Sequence, residues 1–317
     1  MKNGLLFPSL CIVVVLCFSS CKDIIEPSIE KKQVVLNAPG DHYQSKNFAV
    51  TFWWNEVEDA LQYRLQVVTP SFRSIGTLIT DTVVTGNKFL LSMSPGEYEW
   101  RVQAVNGSSQ TALSAPYHFT VLSSSIKQQQ VQLQAPADQA LSNKNKLTFS
   151  WAELYGASAY RLEIDTADFA DTTHLVYDQT LPARQYAFTF PREGSYQWRV
   201  RAQNDTARSL WSAVRRVNYD HSPPAKVTLV SPANDDTKAL PVKLSWNAVS
   251  TALRYKLYVF KADSTSSYSN AFPIVLSERS YNFNTGQSGE RIYWKVSGID
   301  AAGNEGPAST MRSFLIQ

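Results

Sequence analysis

The sequence is poor in the residues from which catalytic and metal sites are built. Its three cysteines all lie within the first 21 residues, and its four histidines are scattered over distant segments. No two histidines have the spacing of metal ligands, and no Gly-x-Ser-x-Gly turn marks a nucleophile. We therefore predict no catalytic residue, no metal and no cofactor.

Charge of one sign is also lacking. Without Lys2, which lies in the segment assigned below to a signal peptide, 29 cationic residues stand against 27 acidic ones. A nucleic-acid-binding protein normally carries a marked excess of positive charge. We expect no nucleic acid among the partners.

The N-terminus has the features of an export signal. Lys2 is followed by an apolar run from Leu5 to Phe18, and Ser19-Ser20 precede Cys21. The run is shorter than the roughly 20 apolar residues that span a membrane. The arrangement resembles a bacterial lipobox, which implies a signal peptide over 1–20 and lipid attachment at Cys21. An ordinary cleaved secretory signal is the alternative.

The fate of the cysteines favours lipid attachment. Cys11 and Cys17 leave with the signal, so Cys21 has no thiol partner for a disulfide. The polar, aperiodic segment up to Gln33 is interpreted as a tether, which gives 21–33 for the lipidated Cys and tether. Lys22 is not the aspartate associated with inner-membrane retention. We expect a lipid-anchored protein of the cell envelope, located in the outer membrane. Both the periplasmic side and the cell surface stay open as the side on which the domains lie.

One sequence pattern occurs three times in the chain. It begins at Val34, Val131 and Val227 with Val-x-Leu-x-(Ala/Ser)-Pro and continues with a Trp, Ala-x-x-Tyr-x-Leu and a second Trp. The first Trp recurs at steps of 97 and 95 residues and the second at steps of 98 and 96. Three similar domains of about a hundred residues are therefore predicted.

Within each repeat the apolar residues alternate with polar ones. In the second repeat, Leu147, Phe149 and Trp151 alternate with Thr148 and Ser150. A period of two is typical of strands with one buried face. Several short strands of this kind per hundred residues predict an all-β chain of two-layer sandwiches.

The repeats resemble fibronectin type III domains, and the resemblance spans Val34 to Gln317. It rests on the early Trp, on the following Tyr-x-Leu strand, and on the segments 91–106 and 296–305. The resemblance implies three tandem immunoglobulin-like sandwiches, over 34–123, 131–220 and 225–317. It also implies that Tyr98 and Tyr196 form tyrosine corners, which Ile292 replaces in the third repeat.

The two connections between repeats differ in composition. The segment 123–130 is polar and is interpreted as flexible, whereas 220–225 contains two prolines that fix their φ angles. We expect the second connection to be the stiffer one.

Two groups of residues are candidates for ligand binding. Trp53 precedes the inward Trp54 and should point outward, where it either contacts a carbohydrate or protein or packs on a neighbouring loop. Cations occupy outward positions on two paired strands of every repeat and either bind an anionic glycan or form a solvated strand face. These cations are Arg64, Arg101, Arg161, Arg199, Arg201, Lys256 and Lys295.

Acidic clusters give weaker signals. Asp165, Asp168 and Asp171 are close in sequence but lack the Gly and terminal Glu of a calcium loop.

We expect a non-catalytic binding, adhesion or spacer module whose partners are the membrane and a glycan or envelope protein. The alternative is a glycan-active enzyme or a carbohydrate-binding component of a polysaccharide-use system.

Overall fold

The computed structural model describes residues 26–317. The predicted signal peptide and Cys21 lie outside the described residues. One compact unit holds the described residues up to Gln44 with Thr51–Leu90 and Glu97–Thr120, and the other holds Ser45–Val50, Leu91–Gly96 and Val121–Gln317. The described chain is all-β apart from one 3-10 turn at Ile126–Gln128.

The first repeat contains eight strands in two sheets. They are β1 (Leu36–Ala38), β2 (Tyr43–Ser45), β3 (Ala49–Trp54), β4 (Gln62–Ser71), β5 (Ser74–Val84), β6 (Lys88–Ser92), β7 (Gly96–Val105) and β8 (Tyr117–Val121). One sheet has the strand order β1-β3-β6 and the other has β2-β8-β7-β4-β5.

The second repeat has the same plan. Its strands are β9 (Leu133–Ala135), β10 (Ala140–Ser142), β11 (Lys146–Trp151), β12 (Ala159–Asp165), β13 (Tyr177–Leu181), β14 (Gln185–Thr189), β15 (Gly194–Gln203) and β16 (Arg215–Tyr219). They form sheets ordered β14-β11-β9 and β10-β16-β15-β12-β13.

The third repeat follows the same order again. Its strands are β17 (Leu229–Ser231), β18 (Asp236–Lys238), β19 (Val242–Trp246), β20 (Arg254–Phe260), β21 (Ile274–Leu276), β22 (Ser280–Phe283), β23 (Arg291–Ile299) and β24 (Arg312–Ile316). The sheets are β17-β19-β22 and β18-β24-β23-β20-β21. The described chain thus forms three immunoglobulin-like β-sandwiches, each of a three-stranded and a five-stranded sheet, and the all-β fold is as predicted; the exact domain boundaries stay predictions.

Large aromatic side chains join the two sheets of each sandwich. Phe52 on β3 meets Trp100 on β7 with ring centroids 5.2 Å apart, and Phe149 on β11 meets Trp198 on β15 at 5.0 Å. In the third sandwich Trp246 meets Tyr255 at 5.8 Å. The alternation in the sequence has this cause, because inward positions must fill the space between two sheets.

The segment before the first strand is not a free tether from Glu26 onward. The side chain of Ile29 is fully buried, and its N–H donates to Ser109 Oγ at 2.9 Å. Asn106 Nδ2 donates to Pro27 O at 2.9 Å, and Lys32 Nζ lies 2.7 Å from an Asp59 carboxylate oxygen. The interpretation of 21–33 as a tether is therefore wrong for residues 26–33, because a buried isoleucine fixes a segment whose polar composition suggested solvation.

The segment 123–130 is also more ordered than its composition suggests. Its 3-10 turn is capped by Ser125, whose side chain accepts from Lys127 N. Ile126 and Gln129 are buried, and Gln129 Nε2 donates to Ser124 Oγ at 2.9 Å. The segment is therefore held by its own hydrogen bonds and by the burial of one isoleucine.

Candidate functional site

The predicted cations lie on one outward face of each sandwich, on the strand pairs β4/β7, β12/β15 and β20/β23. We call this the cationic face. The register sets Gln66 opposite Arg101 in the first sandwich and Glu163 opposite Arg199 in the second. In the third, Tyr258 is opposite Lys295. Directly opposed residues of an antiparallel pair share a face and interact.

In the first sandwich both cations are occupied by neighbours. The guanidinium of Arg64 donates to both carboxylate oxygens of Asp81, at 2.7 and 2.6 Å. This pairing, more than any other contact, lowers the pKa of the Asp81 carboxyl. Arg101 Nε donates to Gln66 Oε1 at 2.8 Å, and its guanidinium carbon lies 4.0 Å from the Phe72 ring centroid.

In the second sandwich Arg161 and Arg199 share one buried carboxylate. Arg161 donates to both oxygens of Asp178 at 2.6 Å and lies 3.3 Å from Glu163. Arg199 Nη2 approaches the other Glu163 oxygen at 2.7 Å. Glu163 is only 2% exposed, so its charge is compensated inside the face rather than in water.

Two aromatic rings complete this arrangement. The guanidinium carbon of Arg199 lies 4.1 Å from the Phe169 ring centroid and 4.3 Å from that of Trp211. Arg201 lies 4.5 Å from the same Trp211 ring. Trp211 is half-buried on the outer face and is not part of the core. Its ring lies against the guanidinium groups of Arg199 and Arg201, a contact that is favourable for flat delocalised cations.

Arg201 differs from the other cations of the face by a buried donor. Among the described residues of the face, the side chains of Arg201 and Lys295 make no hydrogen bond or ion pair, and only Arg201 has a nitrogen, Nε, that is buried without an acceptor. Burial lowers the pKa of its guanidinium, and the neighbouring cations Arg161, Arg208 and Arg199 lower it further. Arg161 is directly opposite Arg201 in the register of β12 and β15.

In the third sandwich one glutamate accepts hydrogen bonds from three side chains of the face. Glu305 accepts from Lys256 Nζ at 3.0 Å, from the Tyr258 hydroxyl at 2.6 Å and from Ser297 Oγ at 2.6 Å. Lys295 Nζ lies 5.3 Å from the Tyr258 ring centroid. The cations of this face are therefore in contact with a carboxylate or a ring.

Trp53 points away from the core, as predicted. It is 41% exposed, whereas Trp54 is fully buried. Lys88 Nζ lies 5.2 Å from the Trp53 ring centroid, so the ring contacts a side chain of the strand beside it. Its role in binding a ligand stays a prediction, as does that of every cation named above.

Sequence reasoning missed a repeated hydroxyl contact on the penultimate strand of each sandwich. The side chains of Ser114, Ser212 and Ser309 accept from the backbone N–H groups of Val102, Val200 and Val296, at 3.0 to 3.1 Å. The signal was available, because a serine follows the second Trp of each repeat at an interval of 14 or 15 residues. In the second sandwich, the Ser212 contact fixes the segment that carries Trp211.

The expected tyrosine corner is present in the second sandwich. The Tyr196 hydroxyl donates to Arg192 O at 2.7 Å, four residues upstream. Tyr98 is buried and stacks on Phe119 with ring centroids 5.4 Å apart. Ile292 is fully buried in the corresponding place of the third sandwich.

Histidines and aspartates are distributed in ways that the sequence did not predict. His42 and His118 are 76 residues apart, yet their ring centroids lie 5.6 Å apart. Asp165 accepts from Phe169 N, Asp168 pairs with Arg216, and Asp171 contacts Thr173 and His174, so the three aspartates do not converge. Within residues 26–317 no group of three or more His, Cys, Asp and Glu could hold a metal ion.

The connection 220–225 is bonded on both of its sides. Glu193 of the second sandwich accepts from the backbone N–H of His221 at 2.8 Å and from Ser222 Oγ at 2.9 Å. Asn304 of the third sandwich donates to Asp220 O at 2.9 Å. A Cβ at Gly306 would lie 2.2 Å from Pro224 O, so the connection packs directly on the backbone of the third sandwich.

Among the described residues, no helix has the length and apolar character needed to cross a membrane.

Comparison with known proteins gives structural similarity alone. No protein-family model matches the sequence, and no curated protein does. Among solved structures, the chain is similar to the FN1-FN3 domains of chicken CNTN1, with 17% identity, a TM-score of 0.40 and coverage of 90% of this chain and 97% of that one. It is also similar to the fibronectin(III)-like modules of Clostridium thermocellum CbhA, with 15% identity, a TM-score of 0.23 and coverage of 59% and 94%.

Proposed function

We propose that this chain is a lipid-anchored, non-catalytic protein of the cell envelope that acts as a binding, adhesion or spacer module. The observation that carries the proposal is the connection 220–225, whose backbone is bonded to Glu193 on one side and to Asn304 on the other. A freely jointed linker would not fix the spacing of two domains, whereas a linker bonded to both does so.

The polar groups of the cationic face support a non-catalytic role. Catalytic acids and bases need carboxylates poised near the working pH and open to a substrate. Glu163 is instead buried against Arg199, and Glu305 is bonded to Lys256, Tyr258 and Ser297. No observation on the described residues favours the alternative of a glycan-active enzyme.

Lipid attachment at Cys21 supplies the anchor in this proposal, and the outer membrane is the proposed location. The partners are a glycan or a protein of the envelope. The loops and sheet faces of the second and third sandwiches would be presented at a fixed spacing, because the connection between these two is bonded on both sides.

Membrane fractionation of a Cys21→Ala variant tests the anchor. We expect the wild-type chain in the membrane fraction and the variant in the soluble fraction, with an equal melting temperature for both. A Ser19→Ala variant, which keeps a small residue before Cys21, serves as the control and should remain with the membrane. Retention of the Cys21→Ala variant in the membrane fraction would contradict the proposal.

A further inference from the structure

The three repeats place different residues at one equivalent position of the cationic face. Arg201, Gln103 and Ser297 each lie three residues after the second Trp of their repeat. Gln103 is buried and its Nε2 donates to Thr111 O at 2.6 Å, while Ser297 Oγ donates to Glu305 at 2.6 Å. The position is therefore neutral and hydrogen-bonded in two sandwiches, and a cation without an acceptor in the second.

A second position shows the same contrast. Gln110, Arg208 and Glu305 form equivalent isolated bridges, with Val105, Gln203 and Ile299 respectively. In the third sandwich this position supplies the carboxylate that accepts from Lys256 and Ser297. In the second sandwich the same position holds an exposed arginine. The place of an internal carboxylate is thus taken by a second positive charge.

On this face of the second sandwich, positive charges therefore outnumber negative ones. Arg161, Arg199, Arg201 and Arg208 stand against Glu163 and Asp178, and both carboxylates are already engaged by Arg161 and Arg199. Arginines directly opposite one another on paired strands are destabilising. Trp211 holds Arg201 by stacking, which orients its guanidinium without satisfying its N–H groups. The Nε donor is buried, but the two terminal Nη groups have no acceptor in the described chain, and such paired donors are suited to bidentate contact with an oxyanion.

We propose that Arg201 and Arg208 form a binding subsite for the carboxylate or sulfate group of an acidic polysaccharide on the outer face of the second sandwich. The bound oxyanion would take the part that Glu305 plays in the third sandwich. This inference rests on the proposed function, because it supplies the ligand class for a binding surface in the cell envelope. It assigns the subsite to one sandwich rather than to the whole cationic face, because Arg201 is the described cation of that face with a buried donor that has no acceptor.

Fluorescence anisotropy with labelled oligosaccharides tests the subsite on the full chain in detergent. The probes are heparin fragments for sulfate, oligogalacturonate for carboxylate, a neutral dextran and polyglutamate. We expect salt-sensitive binding of a sulfated or carboxylated saccharide and none of dextran. Tighter binding of polyglutamate than of either acidic saccharide would overturn the assignment to a polysaccharide.

Three variants locate the binding. Arg201→Gln copies the first sandwich, and Arg208→Glu copies the third. Each should weaken binding about tenfold or more, the effect typical of losing a hydrogen bond to a charged group. Arg184→Gln is the matched control, since Arg184 lies in the same sandwich and is exposed beside Glu153. It should change affinity by less than about twofold.

The melting temperature and the affinity together distinguish an effect on folding from an effect on binding. Arg201→Gln and Arg208→Glu both remove repulsion between cations, so the melting temperature should stay the same or rise while affinity falls. The Trp211 indole N–H resonance should shift on titration with the bound saccharide. Absence of binding to wild type, or equal weakening by Arg184→Gln, would overturn the subsite. The fractionation of Cys21→Ala is independent of either result, so the anchor and the subsite can fail separately.

Discussion

Trp53 and Trp54 are adjacent in the chain and lie in opposite surroundings. Trp54 is fully buried, with its ring 5.5 Å from that of Tyr63, whereas Trp53 is 41% exposed beside Lys88. We expect Trp54→Ala to lower the free energy of unfolding by about 3–5 kcal/mol, as is usual for a buried aromatic. Trp53→Ala should lower it by less than about 1 kcal/mol. Urea unfolding of both variants makes the comparison, and equal losses would contradict the assigned orientations.

Asp263 is exposed and nevertheless strongly acidic. Hydrogen bonds from the Ser266 side chain and from the backbone N–H groups of Thr265 and Ser266 lower the pKa of its carboxyl to about 2. We expect its titration by NMR to have a midpoint near that value. In a Ser266→Ala variant the midpoint should move up toward the ordinary pKa, because the largest stabilising contact of the charged form is lost.

The sign of the pH effect follows from the lowered pKa. The contribution of Asp263 to stability is present above its unfolded pKa and is lost as pH falls through the folded pKa of about 2. Thr173→Ala, in a different acidic turn, is the control and should leave the Asp263 midpoint unchanged. An unchanged midpoint in Ser266→Ala would contradict this account of the turn.

At the scale of single residues, the sequence predicts orientation better than partnership. Strict alternation places Trp54 inward and Trp53 outward because side chains of a strand point to opposite faces in turn. Lys256 on β20 and Glu305, in an isolated bridge after β23, are 49 residues apart, and their pairing depends on how the fold brings these two segments together. Nothing local to either residue specifies that contact. For the same reason, the sequence around Arg201 does not show that its side chain lacks an acceptor.

The connection between the second and third sandwiches is a short element with a steric requirement. Gly306 N donates to Gly298 O at 2.9 Å while the place of its missing Cβ is filled by the Pro224 carbonyl. We expect Gly306→Ala to displace the connection and to cost about 1–3 kcal/mol, as overpacking usually does. Distances between spin labels on the second and third sandwiches should broaden relative to wild type.

A second glycine provides the control for this experiment. Gly40 has no atom within 4 Å of the place where a Cβ would lie, so Gly40→Ala should leave both stability and label distances unchanged. Narrow, unshifted distances in Gly306→Ala would contradict the account of a sterically fixed connection.

In the wild-type protein, the distances between the spin labels should also broaden at acid pH. The backbone N–H of His221 lowers the pKa of the Glu193 carboxyl, so this bond is intact above the ordinary carboxyl pKa and is lost as pH falls through the lowered pKa of the folded state.

The N-terminal segment is an element that composition alone misassigns. Asn106 Nδ2 donates to Pro27 O and to Asp59 O, and the Ile29 side chain is buried. We expect Asn106→Ala to increase the rate of tryptic cleavage at Lys31 several-fold, because the segment loses its side-chain ties. Asn204→Ala removes the corresponding side chain of the second repeat and should leave that rate unchanged.

At the scale of elements, the strands were predictable, whereas the order of the segments 26–33 and 123–130 was not. Period-two alternation marks strands directly, whereas the order of 26–33 and of 123–130 depends on one buried isoleucine in each, Ile29 and Ile126. A single apolar residue in a polar stretch has no period from which burial can be inferred.

At the scale of the whole molecule, one framework is used three times with different outer faces. The aromatic pairs between sheets and the serine contacts of the penultimate strand recur in each sandwich. The charges on the face do not recur: the third sandwich supplies Glu305 where the second has Arg208. Repetition of the core with variation of the face allows one chain to combine structural and binding roles, since packing and surface chemistry are set by alternate residues of the same strands.

Because the chain is ordered from Glu26 onward, only a short segment would connect the first sandwich to a lipid on Cys21. Only four residues separate Cys21 from Glu26, and at about 3.6 Å per residue even a fully stretched chain spans about 18 Å. With Cys21 acylated, the first sandwich would stay within a thin layer above the lipid headgroups. Its encounters would be limited to partners that come to the membrane surface, and any longer reach would have to come from the sandwiches that follow it.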